Sequence, residues 1–182
     1  RLTQGRCTDS QRREIERNCE ELRRCLDEAG SLNEFLKRAV MTEVREPLAL
    51  DSLCKDATAA VATDLIARGI ACTLDIEPGI EVIAHRRALR QALVNVICEA
   101  ISQTAEGATL TIRASSDLDR VALIIFADRL AARSAEEHRS LPLCLARTLL
   151  ELDGCQLYEN AAANAPWSVL LSLDGAIQQE LF

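Results

Sequence analysis

Residues 85–107 read HRRALRQALVNVICEAISQTAEG. Leu89, Ala92, Leu93, Val96, Ile97, Ala100 and Ile101 recur at the helical period and wrap one face of an amphipathic helix. Gln91, Asn95 and Glu99 fall four apart, so a second stripe carries three polar groups in a row. Ala105-Glu106-Gly107 ends the helix on a glycine, and Thr109 to Ser115 then reads as a strand.

Moving outward, Glu81–Ala84 is a short strand leading into the helix, and Glu77-Pro78-Gly79 is a turn. Ile70–Ile76 alternates as a strand does. Asp51 is placed to cap a helix over Ser52–Arg68, which Gly69 ends. Val44–Leu50 is an edge strand or hinge, because Pro47 cannot donate to a central ladder. On the other side, Leu110–Ala114 and Val121–Phe126 are strands, and Ser115–Arg120 is their hairpin loop. A helix over residues 139–152, a strand near Gln156–Tyr158, a loop over 159–166 and a strand over Trp167–Leu173 complete the order. The tail after Gly175 is expected to be loosely held. Helices and strands mixed in this way give an α+β chain, a two-layer α/β sandwich.

The run Arg90-Gln91-Ala92-Leu93-Val94-Asn95-Val96-Ile97-Cys98-Glu99-Ala100-Ile101-Ser102-Gln103-Thr104, followed by Glu106-Gly107, resembles the N box of sensor histidine kinases. The resemblance extends from about residue 45 to 175, over a GHKL-type ATPase domain. The helix before it resembles the second helix of the dimerisation and phosphotransfer bundle. The implied division is 1–44, a helical dimerisation segment, and 45–182, a histidine kinase-like ATPase domain.

The resemblance implies a nucleotide pocket, and its parts are altered here. Asn95 stands at the first N-box asparagine; Glu99 replaces the second, which in the family ligates magnesium. A carboxylate is a hard-oxygen ligand. Facing phosphate without the metal, it repels by about 4 kcal/mol at ~4 Å and an effective dielectric of about 20. The plain alternative for Glu99 is a solvated helix residue. Asp128 stands where the family binds the adenine amino group, but Asp128-Arg129-Leu130-Ala131-Ala132 lacks both glycines of the D-x-G-x-G motif. Leu130 adds a branched side chain where backbone approaches the base. The plain alternative for Asp128 is a polar strand end. Ser140-Leu141-Pro142-Leu143 replaces the second glycine motif, and Pro142 has no N–H to offer a phosphate. Only eleven residues separate Asp128 from Ser140, short for the lid that folds over ATP. The histidines, His85 and His138, both lie off the first helix, so each reads as a surface or capping residue. An acceptor histidine upstream of Arg1 remains open.

Residues 10–40 form a helix in which Ile15, Cys19, Leu22, Leu26, Ala29, Leu36 and Val40 repeat with coiled-coil spacing, broken by Asn33. Ile15, Cys19, Leu22, Leu26 and Leu36 are the dimerisation seam, since a lone helix cannot bury it; a homodimer is expected. Hydrophobic residues make up 48% of the 182, enough for a core, and aromatics only 3%, so an aliphatic core is expected and base-stacking surfaces are not. A net charge of −7 argues against nucleic acid as a partner. No run of about 20 apolar residues exists to span a membrane, and no membrane contact is expected in this segment. None of the eight cysteines forms a C-x-x-C pair. They read as small buried hydrophobes of a reducing compartment rather than metal ligands or disulfides.

The resulting expectation is a degenerate histidine-kinase core, a pseudokinase of a bacterial two-component system. It is cytoplasmic, alone or as the cytoplasmic part of a larger sensor. Its partners would be a response regulator, a phosphotransfer protein or a partner kinase. No cofactor is expected; ATP and Mg are what the pocket would hold if it still functioned. The rival readings are a divergent active kinase fragment, and a phosphotransfer protein carrying a vestigial kinase domain.

Overall fold

The alternation of apolar and polar residues that identifies strands in the sequence also decides which face of the sheet is covered. The computed structural model describes residues 44–117, 119–131, 140–160 and 167–176. The seam of Ile15, Cys19, Leu22, Leu26 and Leu36, together with His138 and the last six residues, lies outside them.

Seven strands are described: β1 Glu46–Ala49, β2 Ala71–Ile76, β3 Glu81–Ala84, β4 Thr109–Asp117, β5 Arg120–Ala127, β6 Gln156–Asn160 and β7 Ser168–Asp174. The helices are α1 Leu50–Ala60, α2 Ala62–Ala67, α3 Arg86–Gln103 and α4 Leu141–Glu151. β1 and β3 form a small antiparallel ladder of their own. Pro47 therefore sits in a two-stranded ladder, as its missing donor requires. The main sheet has the order β2-β4-β5-β7-β6, with β2 parallel to β4 and the other pairs antiparallel. A parallel pair needs a crossover, and α3 lies in the connection that supplies it.

Alternate residues of the central strands point to one face and are buried, among them Leu110, Ile112, Leu123, Ile125, Val169 and Leu171. The buried face of α3, including Leu93, Val96 and Ile97, supplies the other half of the core. α3 packs against both α1 and α4. This is the two-layer α+β arrangement expected from the sequence. The core is aliphatic apart from the buried Trp167, whose Nε1 donates to Glu159 at 2.9 Å.

Local expectations differ in five places. Asp51 is not the cap of the first helix; Ala49 holds that position without a side-chain bond, and Asp51 lies in the first turn. There its carboxyl is held below its ordinary range by the Ser52 backbone N–H and by Lys55. The helix expected over 52–68 is broken at Val61 (φ −112°, ψ 11°), which divides α1 from α2. The expected loop 115–120 is largely strand, because Ser115, Ser116 and Asp117 pair with Ala122, Val121 and Arg120. Their polarity reflects a ladder that runs out into solvent rather than a turn. Likewise, Glu159 and Asn160 belong to β6 and not to the loop. Gly107 does not end α3, which stops at Gln103 with the extended Thr104 as its C-cap; it lies in the turn beyond, with φ +66°, a conformation that favours glycine.

Candidate functional site

The polar stripe of α3 changes environment along its length. Gln91 is exposed and Asn95 half-buried, and the Gln91 amide donates to Asn95 Oδ1 at 3.2 Å. One turn on, Glu99 is only 7% exposed and Gln103 6%. The solvated reading of Glu99 is therefore incorrect. Its Oε1 accepts from Gln103 Nε2, and its Oε2 accepts from Ser140 Oγ at 2.5 Å. The bond to Ser140 joins α3 to the start of α4.

Ser140 holds that position because it is also the N-cap of α4. Its Oγ accepts from Leu143 N at 3.3 Å, and Pro142 sits in the first turn, where its missing N–H costs nothing. The loss of glycines at 140–143 thus produces a conventional capped helix start. The buried carboxylate of Glu99 lies at that same end, where the helix dipole favours an anion.

Asp128 follows β5. Its Oδ1 accepts from Thr109 N at 2.8 Å, while its own N–H donates to Thr109 O at 3.0 Å. The Thr109 N–H is the main reason its carboxyl lies below the ordinary range, with Arg129 adding to it. The side chain continues the β4–β5 ladder by one step. Beyond it, Ala105 N donates to Arg129 O and Ala131 N to Gln103 O, at 3.0 and 2.8 Å. The main chain of 129–131 is therefore fastened to the end of α3, and Leu130, 45% exposed, forms a bridge with Thr104.

The sequence-predicted residues are brought together in part. Glu99 and Ser140 touch, with Pro142 in the turn beside them; Asp128 and Leu130 lie on the segment clipped to the C-terminal end of α3, one turn beyond Glu99. Neither of two described recesses, of about 480 and 330 Å³, is lined by Asn95, Glu99 or Asp128. Among the described residues no group of three or more His, Cys, Asp or Glu is placed to hold a metal ion. Both Glu99 oxygens accept side-chain hydrogen bonds within the protein.

A second polar cluster escapes sequence reasoning. His85 occupies the N-cap position of α3 but gives no side-chain cap. Its Nδ1 lies 2.6 Å from Asp153 Oδ1, and its backbone N–H donates to both Asp153 oxygens at 3.2 Å. Asp153 is 3% exposed. Arg45 Nε approaches Asp153 Oδ1 at 3.4 Å, and Arg45 Nη2 donates to Asp174 Oδ2 and Ile83 O, both at 2.8 Å. His85 is thus the largely buried partner of a carboxylate, not a surface residue. The sequence signal was present only as an aspartate before a turn glycine.

The cysteines divide. Cys54 and Cys155 are buried, and burial pushes the Cys54 thiol up to about 12. Cys72 and Cys98 are intermediate, and burial raises their thiols too. Cys144, on the open side of α4, is exposed, contrary to the expectation that the cysteines are buried. All five described thiols are free.

The five-stranded mixed sheet, the crossover helix with its polar stripe and the capped helix beside it define the fold of the catalytic domains of histidine kinases. No family model matches the sequence, and neither does any curated protein. Solved structures do. The nucleotide-free catalytic domain of histidine kinase ThkA superposes with a TM-score of 0.62 at 14% identity, covering 72% of this chain and 97% of that one. The Acinetobacter baumannii histidine kinase AdeS gives 0.64 at 13% identity, covering 93% and 86%. A histidine kinase from Burkholderia phymatum gives 0.63 at 20%, covering 85% and 80%. At these identities the likeness is one of fold.

Proposed function

We propose that this chain is a two-component signalling protein whose histidine kinase-like domain does not hold ATP and acts through protein contacts. The observation that carries the reading is Glu99. At the N-box position where the family offers a magnesium ligand, a buried carboxylate is instead bound to Ser140 and Gln103. The glycine-free segments on either side support it: one is clipped to the end of α3, the other starts a capped helix. In this reading residues 1–44 are a dimerisation segment joined to the domain of 45–182, and the homodimer forms through the Ile15–Leu36 seam. The partner is a response regulator, a phosphotransfer protein or another kinase, in a bacterial cytoplasm.

Calorimetric titration of the 182-residue chain with ATP and magnesium tests this. No saturable binding up to millimolar nucleotide is expected; a micromolar Kd overturns the reading. One observation favours a divergent active kinase instead. Asn95 is half-buried, and its described bond is only to Gln91 on its own helix. In that case a histidine on a helix preceding Arg1 would take up radiolabelled phosphate from ATP.

A further inference from the structure

Residues 44–182 contain 12 arginines and lysines against 19 aspartates and glutamates, so the domain is acidic. Three of those 12, Arg86, Arg87 and Arg90, lie in the first five residues of α3, and its first turn has no acidic residue. This is the end of a helix where cations are disfavoured. Arg86 and Arg87 border a recess of about 330 Å³ whose described lining also includes Val44 and Glu46. Val44 is 85% exposed, an aliphatic side chain offered to solvent at the edge of a charged hollow. Arg86 Nε is aligned across it by Glu46 Oε1 at 2.9 Å, a pair that is half exposed on both sides. Arg90 follows Arg86 by one helical turn, so the two lie along one face.

We propose that this face of α3, with the recess beside it, docks an acidic peptide segment of a partner protein, carboxylates pairing with the exposed Arg86 and Arg90 and an aliphatic side chain covering Val44. Guanidinium forks match carboxylates in a bidentate way, and a basic island on an acidic domain steers an acidic ligand to one place. The small concave shape and its aliphatic wall suit a peptide side chain better than a bilayer surface. Among the described residues no aromatic lines it to stack a base. Glu46 acts as an internal competitor: it holds Arg86 in place and yields to a better-placed carboxylate. The proposal rests on the protein-contact role above, since it names the surface for that contact.

The test is fluorescence anisotropy on the full 182-residue chain with a labelled nonapeptide alternating Asp or Glu with Leu. Saturable binding that weakens steeply between low and high salt is expected. R86E/R90E should weaken it at least tenfold, and E46Q should tighten it severalfold. Because these side chains are exposed, circular dichroism should show both variants folded. Absence of saturable binding overturns the proposal, as does equal affinity in R86E/R90E. Retention of the chain by phosphatidylserine vesicles without peptide binding overturns it in favour of a membrane surface. Nucleotide binding with peptide binding intact would sink the ATP-free reading alone; peptide failure without nucleotide binding would sink this one alone.

Discussion

Removing the Glu99 carboxylate strands two donors. Glu99→Ala leaves Ser140 Oγ and the Gln103 amide without their acceptor, and a buried polar group left unmade costs about 1–3 kcal/mol. The denaturation midpoint should fall accordingly in a urea titration; an unchanged midpoint would mean that the bridge contributes nothing to folding. Asp128 is felt through pH instead. Its folded pKa is lowered, so its contribution is complete above the ordinary carboxyl value of 3.8 and is lost as pH falls through the lower folded value. Asp128→Asn should therefore flatten the fall of Tm in acid while mattering least for its slope near neutrality. A variant with the same acid limb as the parent would contradict that. Both residues stand out in the sequence, but their partners do not. Ionised side chains are usually outside, so a glutamate in a polar stripe reads as solvated. Its partner Ser140 lies 41 residues away, where no local pattern reaches.

Helix α3 has a different vulnerability, since its apolar face is the centre of the core. Ile97 is fully buried between the sheet and the flanking helices. Ile97→Ala should cost about 2–5 kcal/mol, read as a lower midpoint with an unchanged slope in denaturant. A loss under 1 kcal/mol would show that the layer closes over the gap. Elements of this kind were legible because period and burial are the same fact: residues 86–103 repeat every 3.6 positions, and β5 alternates every two. Boundaries decided by tertiary contacts were not. The break at Val61 has no glycine or proline to announce it, and the strand pairs at 115–117 are made of residues typical of turns. The cap of α4 at Ser140 is legible as Ser-x-Pro at a helix start.

At the scale of the whole molecule, the layers follow from the order of elements, but the ties between distant parts do not. Arg45 reaches Asp174 across 129 positions and His85 reaches Asp153 across 68. Nothing in the sequence pairs them, because each side chain is individually ordinary. Together they place one guanidinium where the described chain begins, fastened to the turn after α4 and to the end of β7. The first described strand is thereby tied to the turn after α4 and to the end of β7 by side chains, in addition to its ladder with β3.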